Sequence, residues 1–293
     1  MLYLFRTIYK ELGIFFGTFS REGFLREFKL GMPHALGGLS EITISTADRY
    51  MIVLFFGLFE AGLYSSGYLF GSMSLIIVRL IGLFTPQYMF LARDSEDKNA
   101  VNNLINYSFL AFFSVAIPYV FFLIQFGSEI LSWANIKSDR AYLSMIMISM
   151  ASIFSGVYLI LSSVSIMEKK TAVQMKLMLS FSFFNVIANY FLFRIFNSFA
   201  VASMVTLVTY TLICLFFLKY LMGIWKFNFP FSFILGPLCL ATGCYFCINT
   251  FELIFPNEFK GATFVGISAF ASVYLIGLGS FLKYKKIWAP KKI

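Results

Sequence analysis

Three ionisable side chains recur at a fixed interval near the start of the sequence: His34, Glu41 and Asp48, each seven residues from the next. Seven residues is close to two turns of α-helix, and Gly38 and Ser45 fall between them at i+4, so a helix over this stretch carries all five on one face. The run from Leu30 to Ala47 holds no other charge-bearing side chain. If the helix crosses a bilayer, that face must look into protein or water, because ionisable groups in hydrocarbon are costly. Glu41, near the middle, could couple to a cation or proton or neutralise an Arg. Asp48, followed by Arg49, reads as a coupling group or as one member of an interfacial charged pair. His34 reads as an interface-level group one turn inside the span, where Pro33 is expected to kink the helix.

A second chemical signal is Arg79, placed in an apolar stretch 14 residues before Arg93. At ~1.5 Å per residue the separation is about 21 Å, too far for one side chain to reach the membrane surface. Inserting such a charge costs about 2.5–3.5 kcal/mol even on lenient scales, so an acidic partner or an anionic ligand is expected beside it. Asn185 and Asn189, one turn apart, could bond across helices or line a path. Cys214, Cys239, Cys244 and Cys247 all lie in apolar stretches with no His or acidic cluster beside them, so no metal, cofactor or redox centre is expected. No catalytic group stands out either: His34 lacks an acid spaced to pair with it.

The elements that must hold these groups are long apolar helices. The chain is 59% hydrophobic and 13% charged, far from the roughly one-quarter charged composition of soluble domains. Apolar runs long enough to cross a bilayer predict spans at 30–48, 62–90, 103–126, 141–166, 172–193, 199–218, 231–253 and 262–282. The fold class is therefore all-α integral membrane with about eight transmembrane helices. Gly67-x-x-x-Gly71, with Gly62 and Ser66 a turn earlier, gives the second span a small-residue stripe for close helix contact.

The net charge of +9 does not point to nucleic acid, because the basic residues lie between apolar runs rather than on one polar face. If alternate connections share a side, one side collects 17 Lys and Arg residues and the other five, leaving Arg79 inside a span. By the positive-inside rule the rich side is cytoplasmic, and with it both termini. No cleavable signal precedes the first span. Residues 6–29, where Phe15, Phe16, Phe19, Phe24 and Phe28 alternate with charged groups, read as a cytoplasmic segment lying in the interface, either a linker or a surface tail.

Several of these residues also carry a family resemblance. Phe28-Lys-Leu-Gly-Met-Pro-His34, Ser45-Thr-Ala-Asp-Arg-Tyr-Met-Ile52, Phe56-Gly-Leu-Phe-Glu-Ala-Gly-Leu-Tyr-Ser-Ser-Gly-Tyr68 and Pro86 resemble the start of the second half of bacterial Wzx-type polysaccharide (O-antigen) flippases, within the multidrug/oligosaccharidyl-lipid/polysaccharide exporter superfamily. Asn185 to Asn189 fits the same pattern more weakly, whereas Asn197-Ser-Phe-Ala stands where the family has a Gly-Ala-Ala-like turn. The resemblance covers residues 1–222. It implies a division into 1–28, the end of a preceding helix and a cytoplasmic linker; 29–222, a six-helix C-terminal lobe; and 223–293, two additional helices with a basic tail.

The resemblance further implies translocation of an undecaprenyl-pyrophosphate-linked oligosaccharide across the bacterial inner membrane by alternating access of two lobes. Partners would be the lipid-linked substrate, membrane lipid, and a missing N-terminal lobe or other polysaccharide assembly proteins, with no nucleic acid. On this reading Arg79 and Arg49 meet the pyrophosphate, since guanidinium forks suit phosphate oxygens, while Glu41, Asp48 and His34 couple or tune charge. A drug or ion exporter of the same superfamily, or a truncated half without activity, remains open. A membrane polymerase or acyltransferase fits less well, because the outer connections span about a dozen residues or fewer.

Overall fold

The computed structural model describes residues 20–94, 98–225 and 232–254, together with Tyr274, Leu275 and Leu278. Among the described residues all regular structure is helical: α1 (Arg21–Phe56), α2 (Leu58–Gly71), α3 (Leu75–Asp94), α4 (Lys98–Trp133), α5 (Asp139–Met167), α6 (Thr171–Phe196), α7 (Ala200–Met222) and α8 (Ser232–Ile254). Five of these, at 75–93, 98–133, 139–167, 171–196 and 200–222, are long and apolar enough to cross a membrane. Large apolar side chains such as Leu54, Leu58, Phe59 and Ile195 stand exposed on the bundle. That surface suits lipid and not water.

Ser20 caps α1, accepting a bond from the Gly23 amide at 3.2 Å, and Ser138 caps α5 through the Ala141 amide at 3.3 Å. α1 then runs unbroken through Pro33 for 36 residues, about 54 Å at ~1.5 Å per residue. The first helix is thus longer than the expected span 30–48, and it continues through Pro33, the site of the expected kink. Residues 21–28, read from the sequence as linker, are the first turns of the same helix; residues 6–19 lie outside the described part. α1 ends at Gly57, whose φ of +92° is a backbone conformation that only glycine adopts without strain.

The second span differs most from expectation. Instead of one helix over 62–90, the chain forms α2 and α3 with a turn at Ser72–Ser74 between them. The turn is stabilised from outside: the Tyr119 hydroxyl donates to the Phe70 carbonyl at 2.7 Å, and the Ser152 hydroxyl to the Gly71 carbonyl at 3.3 Å. Gly67 and Gly71 press α2 onto α5 so closely that a Cβ would stand 2.5 Å from the Ala141 carbonyl oxygen and 2.6 Å from that of Met145.

Neighbours in space run in the order α8, α4, α5, α7, α6, with α1 lying on α6, α2 on α5, and α3 on α5 and α4. α5 and α6 follow each other in sequence but barely touch, since α7 packs between them. The central apolar cluster gathers Phe112, Phe113, Tyr158, Leu161, Ile213 and Phe217. Arg93 bonds to the α5–α6 turn, and the Trp225 indole donates to the Asn102 side-chain oxygen at 2.8 Å. These contacts bring the end of α3, the start of α4, the end of α5 and the end of α7 to one end of the bundle. The expected span at 231–253 corresponds to α8, which packs on α4; most of the span at 262–282 lies outside the described residues, with Tyr274 donating to the Ser114 carbonyl at 2.9 Å.

Candidate functional site

The chain places a carboxylate at the junction of four helices. Asp48 of α1 is fully buried. Its Oδ1 accepts from Asn189 Nδ2 of α6 at 2.6 Å, and its Oδ2 accepts from Thr206 Oγ1 of α7 at 2.6 Å and from the Tyr64 hydroxyl of α2 at 3.0 Å. The network continues outward. Asn189 Nδ2 also donates to Asn185 Oδ1 at 3.2 Å, and Asn185 Nδ2 to Thr209 Oγ1 at 3.3 Å. Asn185, Asn189, Thr206 and Thr209 are all buried, and Asn189 Oδ1 has no hydrogen-bond partner among the described residues.

Every donor to Asp48 is neutral, so the charge is solvated by dipoles and by the nearby Arg49 rather than by a hydrogen-bonded cation. Carboxylate, amide and hydroxyl oxygens together form a set suited to a proton or a hard cation, not to a soft metal. Among the described residues no three His, Cys, Asp or Glu side chains gather at one point.

A second polar group adjoins the first through Tyr68. The Arg49 guanidinium lies over the Tyr68 ring, 4.7 Å from its centre, with Nε buried and unbonded. The charges of Asp48, Arg49, Glu41 and Arg79 all act on Tyr68, and those of Arg79 and Glu41 act on each other. Tyr158 of α5 and Tyr210 of α7 lie within range of the Glu41 charge, and the Tyr158 hydroxyl accepts from Gln174 Nε2 at 2.9 Å. Arg79 itself is exposed on α3 and forms no hydrogen bond or ion pair among the described residues.

α1 packs on α2 and makes no substantial contact with α3, yet Glu41 on α1 and Arg79 on α3 lie within electrostatic range of each other. Of the residues singled out from the sequence, Glu41, Asp48, Arg49 and Arg79 surround Tyr68, and Asn185 and Asn189 join Asp48. His34 is apart. It is exposed, about 10 Å along α1 from Glu41 at ~1.5 Å per residue, and takes no bond in this cluster.

Sequence reasoning missed Tyr64, Tyr68, Tyr158, Tyr210, Gln174, Thr206 and Thr209. A faint signal existed in Tyr64 and Tyr68, one turn apart, and in Thr206-x-x-Thr209-Tyr210. Lone hydroxyls in apolar helices are common, because they bond their own backbone, as Thr209 does with the Val205 carbonyl at 2.7 Å. Comparison of the chain with family models, curated proteins and solved structures finds no match.

Proposed function

We propose that this chain is one lobe of a transporter that flips an undecaprenyl-pyrophosphate-linked oligosaccharide across the bacterial inner membrane, with eight spans and both termini cytoplasmic. Arg79 carries the reading. An Arg in an apolar helix, exposed and with no hydrogen bond or ion pair among the described residues, has a reason to be there if it meets an anion. Glu41, within range of its charge, sets the charge when the anion is absent. Arg49, held over Tyr68, adds a second guanidinium. Asp48 with Asn185, Asn189 and Thr206 serves as the ion-coupling centre, because its protonation or cation occupancy would alter the bonds joining α1, α2, α6 and α7. A second lobe would complete the substrate cavity.

The direct test is binding of a polyprenyl pyrophosphate to the purified chain in detergent, read by native mass spectrometry. Arg79→Ala is expected to lose about tenfold in affinity or more, as removal of a charged hydrogen-bond partner does, with a polyprenol lacking phosphate as the control. Equal binding of pyrophosphate and alcohol would overturn the anionic reading. In a strain lacking its flippase, the chain alone is expected not to restore surface polysaccharide, whereas co-expression with a matching N-terminal lobe is expected to do so.

A further inference from the structure

The two halves of the broken span are held differently. α2 is clamped: Gly67 and Gly71 meet the α5 backbone, and the last carbonyls of α2 accept bonds from Tyr119 and Ser152. α3 rests on α5 and α4 through Val78, Thr85 and Met89 and leaves Ile76, Leu80, Leu83, Phe84, Tyr88 and Leu91 exposed, with no glycine contact against a neighbouring backbone. Midway along, the Thr85 and Ser108 hydroxyls meet at 3.3 Å.

At the far end the Arg93 guanidinium donates to the Met167 carbonyl and stands 3.9 Å from a carboxylate oxygen of Glu168, in the turn that closes α5. That turn is itself defined, with Lys169 at φ 55° and the Lys170 amide bonded to the Ser165 carbonyl at 2.8 Å. Between clamp and tie, the turn at Ser72–Ser74 is bridged by short-range backbone bonds, such as Met73 to Phe70 and Ile76 to Met73. Bonds of this i to i−3 type are weaker in geometry than those of an α-helix and mark hinges.

From this arrangement we propose that α3 is an arm hinged at Ser72–Ser74 and latched at its other end by Arg93 on the α5–α6 turn, and that the latch sets the separation of Arg79 on the arm from Glu41 on α1. A guanidinium suits this position, because a helix C-terminus presents unpaired carbonyls and a partial negative charge, and the planar fork can engage a carbonyl and a carboxylate together. Release of the latch frees the Arg79-bearing helix while α2 stays on α5. The arm is independent of what the chain carries, since a distance and not transport reports it.

The test uses pairs of spin labels on the full chain in lipid nanodiscs, with the four native cysteines replaced by serine. Gly38 and Gly62 have open space where a Cβ would stand, and Leu91 is exposed. Gly38→Cys with Leu91→Cys reports α1 to the arm; Gly38→Cys with Gly62→Cys reports α1 to the clamped half. Leu91 lies 17 residues beyond Ser74, a lever of about 26 Å, so a swing of roughly 20° moves it by about 9 Å. Arg93→Ala is expected to shift or broaden the first distance on that scale and leave the second unchanged, whereas Arg93→Lys, which keeps a charged donor for the Met167 carbonyl, keeps the wild-type distance. An unchanged first distance in Arg93→Ala, an equal shift of both pairs, or an Arg93→Lys shift as large as that of Arg93→Ala would each overturn the latch.

Discussion

Asp48 shows how far one side chain organises this bundle. Its three donors come from three different helices, so Asp48→Ala strands an amide and two hydroxyls in a buried place. At ~1–3 kcal/mol for each unsatisfied buried group, a loss of about 3 kcal/mol or more is expected, read as a lower melting temperature in detergent. Asp48→Asn keeps the shape and one acceptor oxygen, and the hydroxyls of Tyr64 and Thr206 can turn to accept. It is expected to cost about 1–2 kcal/mol and, on the proposed function, to separate stability from ion coupling. A melting point for Asp48→Ala equal to wild type would show that the node does not hold the helices together. Arg79 behaves oppositely: on the proposed function, Arg79→Ala is expected to leave insertion normal or improved while export in an assembled transporter is lost, with Arg79→Lys recovering part. If Arg79 serves only to neutralise Glu41, the double change Arg79→Ala with Glu41→Ala restores export.

Among elements, the divided second span matters most. Gly67 and Gly71 were legible as a close-contact stripe, and the structure puts them against α5. The turn that follows was not legible, because Ser72-Met-Ser74 has no proline and no glycine, and the hydroxyls that occupy the α2 carbonyls come from Tyr119 and Ser152, far along the chain. Gly67→Ala is expected to cost about 1–3 kcal/mol, the range for forcing atoms into a packed core, since the obstacle is the Ala141 backbone and not a flexible side chain. Gly82→Ala, which meets open space on α3, is expected to be neutral or to stabilise by up to about 1 kcal/mol. Thermal unfolding of the two variants side by side checks this contrast; equal shifts would mean that α2 is not held by the glycine contact. Asn197 is a smaller instance of the same logic. It takes the left-handed position that ends α6, at φ 44°, which asparagine tolerates best after glycine.

At the scale of the molecule, the bonds from Arg93 to the α5–α6 turn and from Trp225 to Asn102 gather connections that carry Arg93, Lys98, Lys169 and Lys170 at one end. With the 17 to five division of basic residues, that end is expected to be cytoplasmic. Reporters fused after Lys98 and Lys292 should then report cytoplasm and those near Lys137 and Glu258 the outside. A periplasmic signal from the C-terminal fusion would remove one span from the count.

Helical class, membrane character and the chemically unusual residues were all readable in the linear chain, because apolar length and isolated charge are local properties. Glu41, Asp48, Arg49, Arg79, Asn185 and Asn189 could each be marked as costly in lipid without knowing a neighbour. Their grouping could not. Asp48 and Thr206 are 158 residues apart in sequence and 2.6 Å apart in space, and the seven-residue spacing that joined His34 to Asp48 describes one helix, whereas burial depends on which helices lie against it. α6 and α7 cover Asp48 and leave His34 exposed, and the break in the second span is fixed by bonds from Tyr119 and Ser152. Both outcomes follow from contacts among distant helices, which no periodicity within a single helix encodes.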